Sequence, residues 1–134
     1  MPLSDTSPTA LIVEDNPDNM LLAGAVLRRA GYRTTEARSA EEALAQLERC
    51  RPDVVLMDIQ LPGQDGLSLT RQLRADPDLA RVPIVALSAH AMHDSQAEAA
   101  AAGCDGYITK PIDTRTFATQ LASILETAQE GEPR

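Results

Sequence analysis

Three runs of four apolar residues, Ala10-Leu11-Ile12-Val13, Val54-Val55-Leu56-Met57 and Ile84-Val85-Ala86-Leu87, give way at once to polar residues. A run of that length, bounded by turn formers, reads as a strand buried on both faces, the habit of parallel sheets. Two further segments read as strands. Tyr32 to Ala37 is more polar and is expected at an edge, and Tyr107-Ile108-Thr109 is short and ends in Lys110-Pro111. Between the strands, apolar residues recur at helical spacing. The chain therefore reads as five βα units, and strands separated by helices imply a parallel α/β sheet with right-handed crossovers.

The first helix is expected from Pro17, which suits a first turn, to about Ala30, with Gly31 closing it. Its core stripe reads as Leu22, Ala23, Val26, Leu27 and Ala30. Met20, Leu21, Gly24 and Ala25 add an apolar face beside that stripe, where a surface helix should be polar. Such a face is a candidate docking patch for a partner's helices. Ser39, with Glu42 three residues on, predicts a capping box for the second helix. The third helix is expected over Leu67 to Arg74, and the fourth over Met92 to Ala102. Asp113 is expected to cap the last, which turns Phe117 and Leu121 inward. The alanine-rich fourth helix should form readily but bury little surface. One folded unit is expected over residues 9–128, with residues 1–8 a flexible lead and residues 129–134 a flexible tail.

Composition narrows the function classes. At 134 residues the chain is one domain of ordinary size. Its formal charge of −8 leaves no surplus of basic residues for nucleic acid or an anionic membrane. No run approaches the roughly 18 apolar residues that a membrane span needs, and the first residues lack the basic and apolar stretches of a signal peptide. Cys50 and Cys104 match no metal spacing and read as reduced thiols of a cytoplasmic protein. His90 and His93 have no third ligand to complete a metal shell.

In a parallel sheet the residues just past the strands converge on one edge. Here these are Glu14-Asp15, Asp58, Ser88 and Lys110. Carboxylates gathered there repel one another unless one is protonated or a cation sits among them. An all-oxygen donor set favours a hard ion, Mg²⁺ or Mn²⁺. With Lys110 as a second positive charge and Ser88 as a hydroxyl donor, the set suits the oxygens of a transferring phosphoryl group. Asp58 would then be the nucleophile and form an aspartyl phosphate.

These residues carry a resemblance. Val13-Glu14-Asp15-Asn16, Leu56-Met57-Asp58-Ile59-Gln60-Leu61-Pro62 with Asp65-Gly66, Ala86-Leu87-Ser88-Ala89 and Tyr107-Ile108-Thr109-Lys110-Pro111 occur in the order and spacing of response-regulator receiver domains. The chain resembles that family from about Ala10 to Ala128. It is most similar to single-domain regulators of bacterial cell-fate phosphorelays and to receivers attached to hybrid histidine kinases. Many members carry two aspartates where this chain has Glu14-Asp15, though Glu is also common there.

The resemblance implies a flavodoxin-like sheet of order 2-1-3-4-5. It implies that Asp58 accepts phosphate from a phosphohistidine on a sensor histidine kinase or a histidine phosphotransfer protein. Asp15 would ligate Mg²⁺ directly and Glu14 through a water, with the Gln60 backbone carbonyl as a further ligand. Lys110, Ser88 and the Ala89 backbone N–H would bind the phosphoryl oxygens, and Lys110-Pro111 would be a cis peptide. Ser88 and Tyr107 would move on phosphorylation. A downstream protein would then read the face formed by the fourth helix, fifth strand and fifth helix. Gln60 and His90 would govern access of water to the phosphate. The first helix would dock the donor. The molecule would be a monomer or a weak phosphorylation-dependent dimer.

Other classes fit less well. A phosphatase of the haloacid dehalogenase type needs a second Asp two residues past the nucleophile, where this chain has Gln60. A flavodoxin must cradle a phosphate in its first loop, where Glu14-Asp15 would repel it. A DNA-binding regulator needs an output domain beyond this one. The expected function is therefore regulation through partner binding, or shuttling of phosphate from Asp58 to a histidine phosphotransfer protein. The only chemistry expected of the chain is on its own Asp58.

Overall fold

A strand buried on both faces sends alternate side chains into two separate cores. In a computed structural model, which describes residues 7–61, 66–89, 93–110 and 112–130, β1 (Thr9–Val13), α1 (Pro17–Arg29), β2 (Arg33–Ala37), α2 (Ala40–Arg49) and β3 (Val54–Asp58) lead into α3 (Gly66–Ala75), β4 (Ile84–Ser88), α4 (His93–Ala102), β5 (Gly106–Thr109) and α5 (Phe117–Glu130). All strand pairs are parallel, and the sheet order is β2-β1-β3-β4-β5. This is the doubly wound, flavodoxin-like α/β fold expected from the sequence, with the polar β2 at an edge. Pro62, Asp65, His90 and Pro111, which carry expectations above, lie outside the described residues.

The alternation along the strands builds the two cores. Leu11, Val13, Val55 and Met57 face α2 and α3, where they meet Leu47, Leu69 and Leu73. Ile12, Val54, Leu56 and Leu87 face the other way, toward Leu27 of α1 and Phe117 and Leu121 of α5. Every residue of the central strand β3 is buried. Each large side chain buried this way contributes about 1.5–3 kcal/mol. Cys104 packs at the margin of the first core, and Cys50 is exposed. Among the described residues no helix is long and apolar enough to cross a membrane.

Local chemistry sets the helix ends. Asn16 caps α1 ahead of Pro17. Gly31 follows that helix at φ 102°, a conformation open to glycine. Ser39 caps α2 through the Glu42 amide, but the Glu42 carboxylate reaches one residue further back than a capping box requires, to the Arg38 amide at 2.9 Å. Asp113 caps the turn that leads into α5: its carboxylate accepts from the Arg115 amide and its carbonyl from the Phe117 amide, each at 2.9 Å, and the helix is regular from Phe117.

The buried face of α1 differs from the expected stripe. It is Met20, Ala23, Gly24 and Leu27, spaced i, i+3, i+4 and i+7. Leu22 and Val26 are half-buried at its flank, and Ala30 is exposed. The face reads as turned because Met20 reaches the sheet while Gly24 is roofed by its own helix. A Cβ on Gly24 would lie 2.9 Å from an Arg28 guanidinium nitrogen. Met20 and Gly24 therefore leave the expected docking patch, and Leu21, 68% exposed, and Ala25 remain at the surface.

The amino edge of the sheet is clasped by Arg74. From the end of α3 its guanidinium donates to the carbonyls of Gly103, Ala80 and Val82 at 2.7–2.8 Å and pairs with Asp105 at 2.7 Å. Asp105 in turn accepts from the Ile84 amide at 2.9 Å. One side chain thus ties α3, the approach to β4 and the end of α4 together. Gly103 has φ 115°, and a Cβ there would meet the Arg74 stem at 2.7 Å.

Candidate functional site

The carboxyl edge is where the fold gathers its ionisable groups. β1 hands directly to Glu14, whose amide extends the ladder to the Ala37 carbonyl at 3.0 Å. This places the side chain under the edge, only 2% exposed. Asp58 is the last residue of β3 and pairs in register with Leu87, so it too is 2% exposed. Ser88 ends β4 fully buried, and its carbonyl accepts from the Lys110 amide at 2.7 Å. β5 thereby delivers Lys110 to the same edge.

Lys110 Nζ lies 3.0 Å from Glu14 Oε1 and 3.2 Å from Asp58 Oδ2. One ammonium therefore serves two buried carboxylates. The opposite oxygens are held by backbone: Glu14 Oε2 accepts from the Asn16 amide at 3.2 Å, and Asp58 Oδ1 from the Gln60 amide at 2.9 Å. Burial raises the Glu14 carboxyl above its ordinary value, and the contact with Asp58 raises it further, against the pull of Lys110 and the Asn16 amide. Burial also works against the Lys110 charge, but the hydrogen bonding and field of Glu14 and Asp58 outweigh it, and its proton is held more tightly than usual.

Glu14, Asp15 and Asp58 each offer a carboxylate oxygen, and these lie within 4.8 Å of one another. Asp15 is exposed, so the cluster opens to solvent on its side. Glu14 Oε1 is buried and faces the Lys110 ammonium at 3.0 Å, with no backbone amide on it. Three carboxylates this close, with a single ammonium among them, form the donor set of a hard divalent cation. The residues present fit Mg²⁺ or Mn²⁺.

Ala89 follows Ser88 at the same edge and is exposed. Gln60 is exposed, and its amide is already engaged by Asp58. Tyr107 is half-buried on β5, opposite Ala86, and lines a groove with Thr116, Gln120 and Ile124 of the adjoining α5 side. Leu21 and Ala25 stand exposed on α1. Two contributors escaped the sequence reading, the Asn16 amide and the Gln60 amide, and Gly66 was read as part of the motif without its packing role. A Cβ on Gly66 would come within 2.5 Å of the Asp58 carbonyl and 2.6 Å of Ile59 Cα. An Asn ahead of Pro was a readable cap signal for Asn16.

Comparison with known proteins identifies the family. Residues 10–122 match the family described as response regulator receiver domain. The chain is 39% identical over 117 residues to the polar-differentiation response regulator DivK of Brucella anthropi, covering 87% of this chain and 95% of that protein. Its fold superposes on the chemotaxis response regulator CheY4 of Vibrio cholerae with a TM-score of 0.85 at 26% identity, over 89% of this chain and 99% of the other. It also superposes on the signal receiver domain of a signal transduction histidine kinase from Syntrophus aciditrophicus, with a TM-score of 0.81 at 30% identity, over 96% and 97%. The chain belongs to the response regulator receiver domain family and is a two-component signalling protein.

Proposed function

We propose that the chain accepts a phosphoryl group on Asp58 from a phosphohistidine donor, in a reaction that requires Mg²⁺, and signals by changing the surface it offers to protein partners. The observation that carries this reading is Lys110 Nζ, placed within 3.2 Å of both Asp58 and Glu14 at the buried end of the sheet. In the transfer, an Asp58 oxygen lone pair forms a bond to phosphorus. The donor's P–N bond breaks, and its electron pair returns to the imidazole, which takes up a proton. Lys110, the Ser88 hydroxyl and the Ala89 amide receive the phosphoryl oxygens. Glu14, Asp15, Asp58 and the Gln60 carbonyl would hold the cation, which supplies positive charge against the incoming phosphoryl group. The Gln60 amide keeps the Asp58 carboxylate in one orientation.

The aspartyl phosphate adds up to two negative charges beside Ser88. Ser88 and Tyr107 respond, and the α4–β5–α5 face is what a downstream protein reads. Leu21 and Ala25 of α1 receive the donor, a sensor histidine kinase or a histidine phosphotransfer protein. The working unit is residues 9–128, cytoplasmic, and monomeric or weakly dimeric when phosphorylated. A role as a phosphate shuttle uses the same chemistry in reverse. A haloacid-dehalogenase-like phosphatase is disfavoured by Gln60, which stands where that chemistry needs an acid.

The test is transfer of labelled phosphate from candidate histidine kinases and phosphotransfer proteins, with and without Mg²⁺. Label should reach the wild type only with Mg²⁺ and should be absent from Asp58→Asn. Equal labelling of Asp58→Asn would overturn the reading.

A further inference from the structure

Only Glu14, Asp15 and Asn16 join β1 to α1. Two of the three are acids of the cluster, so the direction of both carboxylates depends on how this turn is held. Asn16 holds it from the helix side. In extended backbone, φ −84° and ψ 120°, its Oδ1 accepts from the amides of Asp18 at 2.9 Å and Asn19 at 3.1 Å. Its carbonyl accepts from the Met20 amide at 3.0 Å, the first bond of α1. With both acceptors tied into the helix, the peptide plane ahead of Asn16 has little freedom. The amide in that plane is the one that donates to Glu14 Oε2 at 3.2 Å.

We propose that Asn16 is a positioning residue for the cation held by Glu14, Asp15 and Asp58, a role that rests on the metal-binding reading above. The cap fixes the Asn16 amide, and the amide fixes Glu14 Oε2. The other oxygen, Oε1, is thereby turned to the cationic side of the cluster, where Lys110 Nζ lies 3.0 Å away. Asn16 touches neither the ion nor the phosphoryl group. It acts through the orientation of Glu14 and of the Asp15 backbone beside it, as outer residues of metal sites do.

Ser39 supplies an internal control. It caps α2 at the same edge of the sheet through the Glu42 amide at 3.2 Å, with no bond to the acids. The experiment titrates Mn²⁺ into metal-free full-length protein and follows the free ion by electron paramagnetic resonance. Asn16→Ala should bind Mn²⁺ about 10-fold more weakly than wild type. Asn16→Ser, which restores a cap, should recover most of that loss. Ser39→Ala should melt earlier by a comparable amount and bind Mn²⁺ as wild type does. Asn16→Gly costs little helix stability, so it carries the test if the alanine variant does not fold, and it should weaken Mn²⁺ binding likewise. Undiminished binding by Asn16→Gly, or an equal loss in Ser39→Ala, overturns the role of Asn16 when Asp15→Asn weakens binding normally. Asp15→Asn binding as tightly as wild type would instead overturn the acidic site itself, and the Asn16 role with it.

Discussion

Lys110 has two buried carboxylates to neutralise and one charge to do it with. The surplus falls on Glu14, whose carboxyl is raised above its ordinary 4.5 chiefly by burial. A carboxyl that holds its proton more tightly when folded gives stability that is full below the unfolded value and lost as pH rises through the folded one. Glu14→Gln, neutral at every pH, escapes that loss, and Lys110 keeps Asp58. In metal-free buffer at pH 7 the variant should be more stable than wild type by roughly 1 kcal/mol, the ordinary size of a single-substitution effect. The gap should close toward pH 4. Thermal melts across that range check it, and a gap that widens on acidification would contradict it. Asp58 and Ser88 were legible in the sequence because each directly follows an apolar run, and Lys110 because it ends a short strand-like segment ahead of a proline. The amides of Asn16 and Gln60 were harder to see, because the direction of a backbone N–H is set by turn dihedrals and not by residue type.

At the scale of elements, the strands were legible because burial on both faces writes itself as unbroken apolar sequence. Helix faces were less so. The stripe predicted for α1 differs from the buried one because alanines and a glycine carry little signal about which side meets the sheet. The Arg74 clasp was not legible at all, since its acceptors are mostly carbonyls, which every residue has. Arg74→Met would leave those carbonyls and the Asp105 carboxylate without the guanidinium. Breaking a pair this buried, with side chains 16% and 6% exposed, should cost about 3 kcal/mol. It should appear as a lower urea midpoint by far-UV circular dichroism. Mn²⁺ affinity of the folded variant should be unchanged, because the clasp lies at the opposite edge from the acids. A midpoint equal to wild type would mean that water replaces the guanidinium at little loss.

Across the whole molecule, a chain of net charge −8 concentrates three of its acids in one corner. A ligand that binds only the folded state stabilises it by mass action, about 2.7 kcal/mol at a hundredfold excess over Kd. Mg²⁺ added to metal-free protein should therefore raise the melting temperature by several degrees, and a chelator should reverse the rise. Asp15→Asn should lose most of the shift. The readout is circular dichroism, because the chain has no tryptophan. An equal shift in Asp15→Asn would place the ion elsewhere. The Arg74 clasp has a consequence beyond its own strength. It divides labour between the two ends of β4 and β5, with cohesion where they begin and the proposed chemistry where they end. Substitutions far enough apart to share no partner add their effects. A lineage could therefore alter the acids and regain the lost robustness by adjusting the far edge, without either change constraining the other.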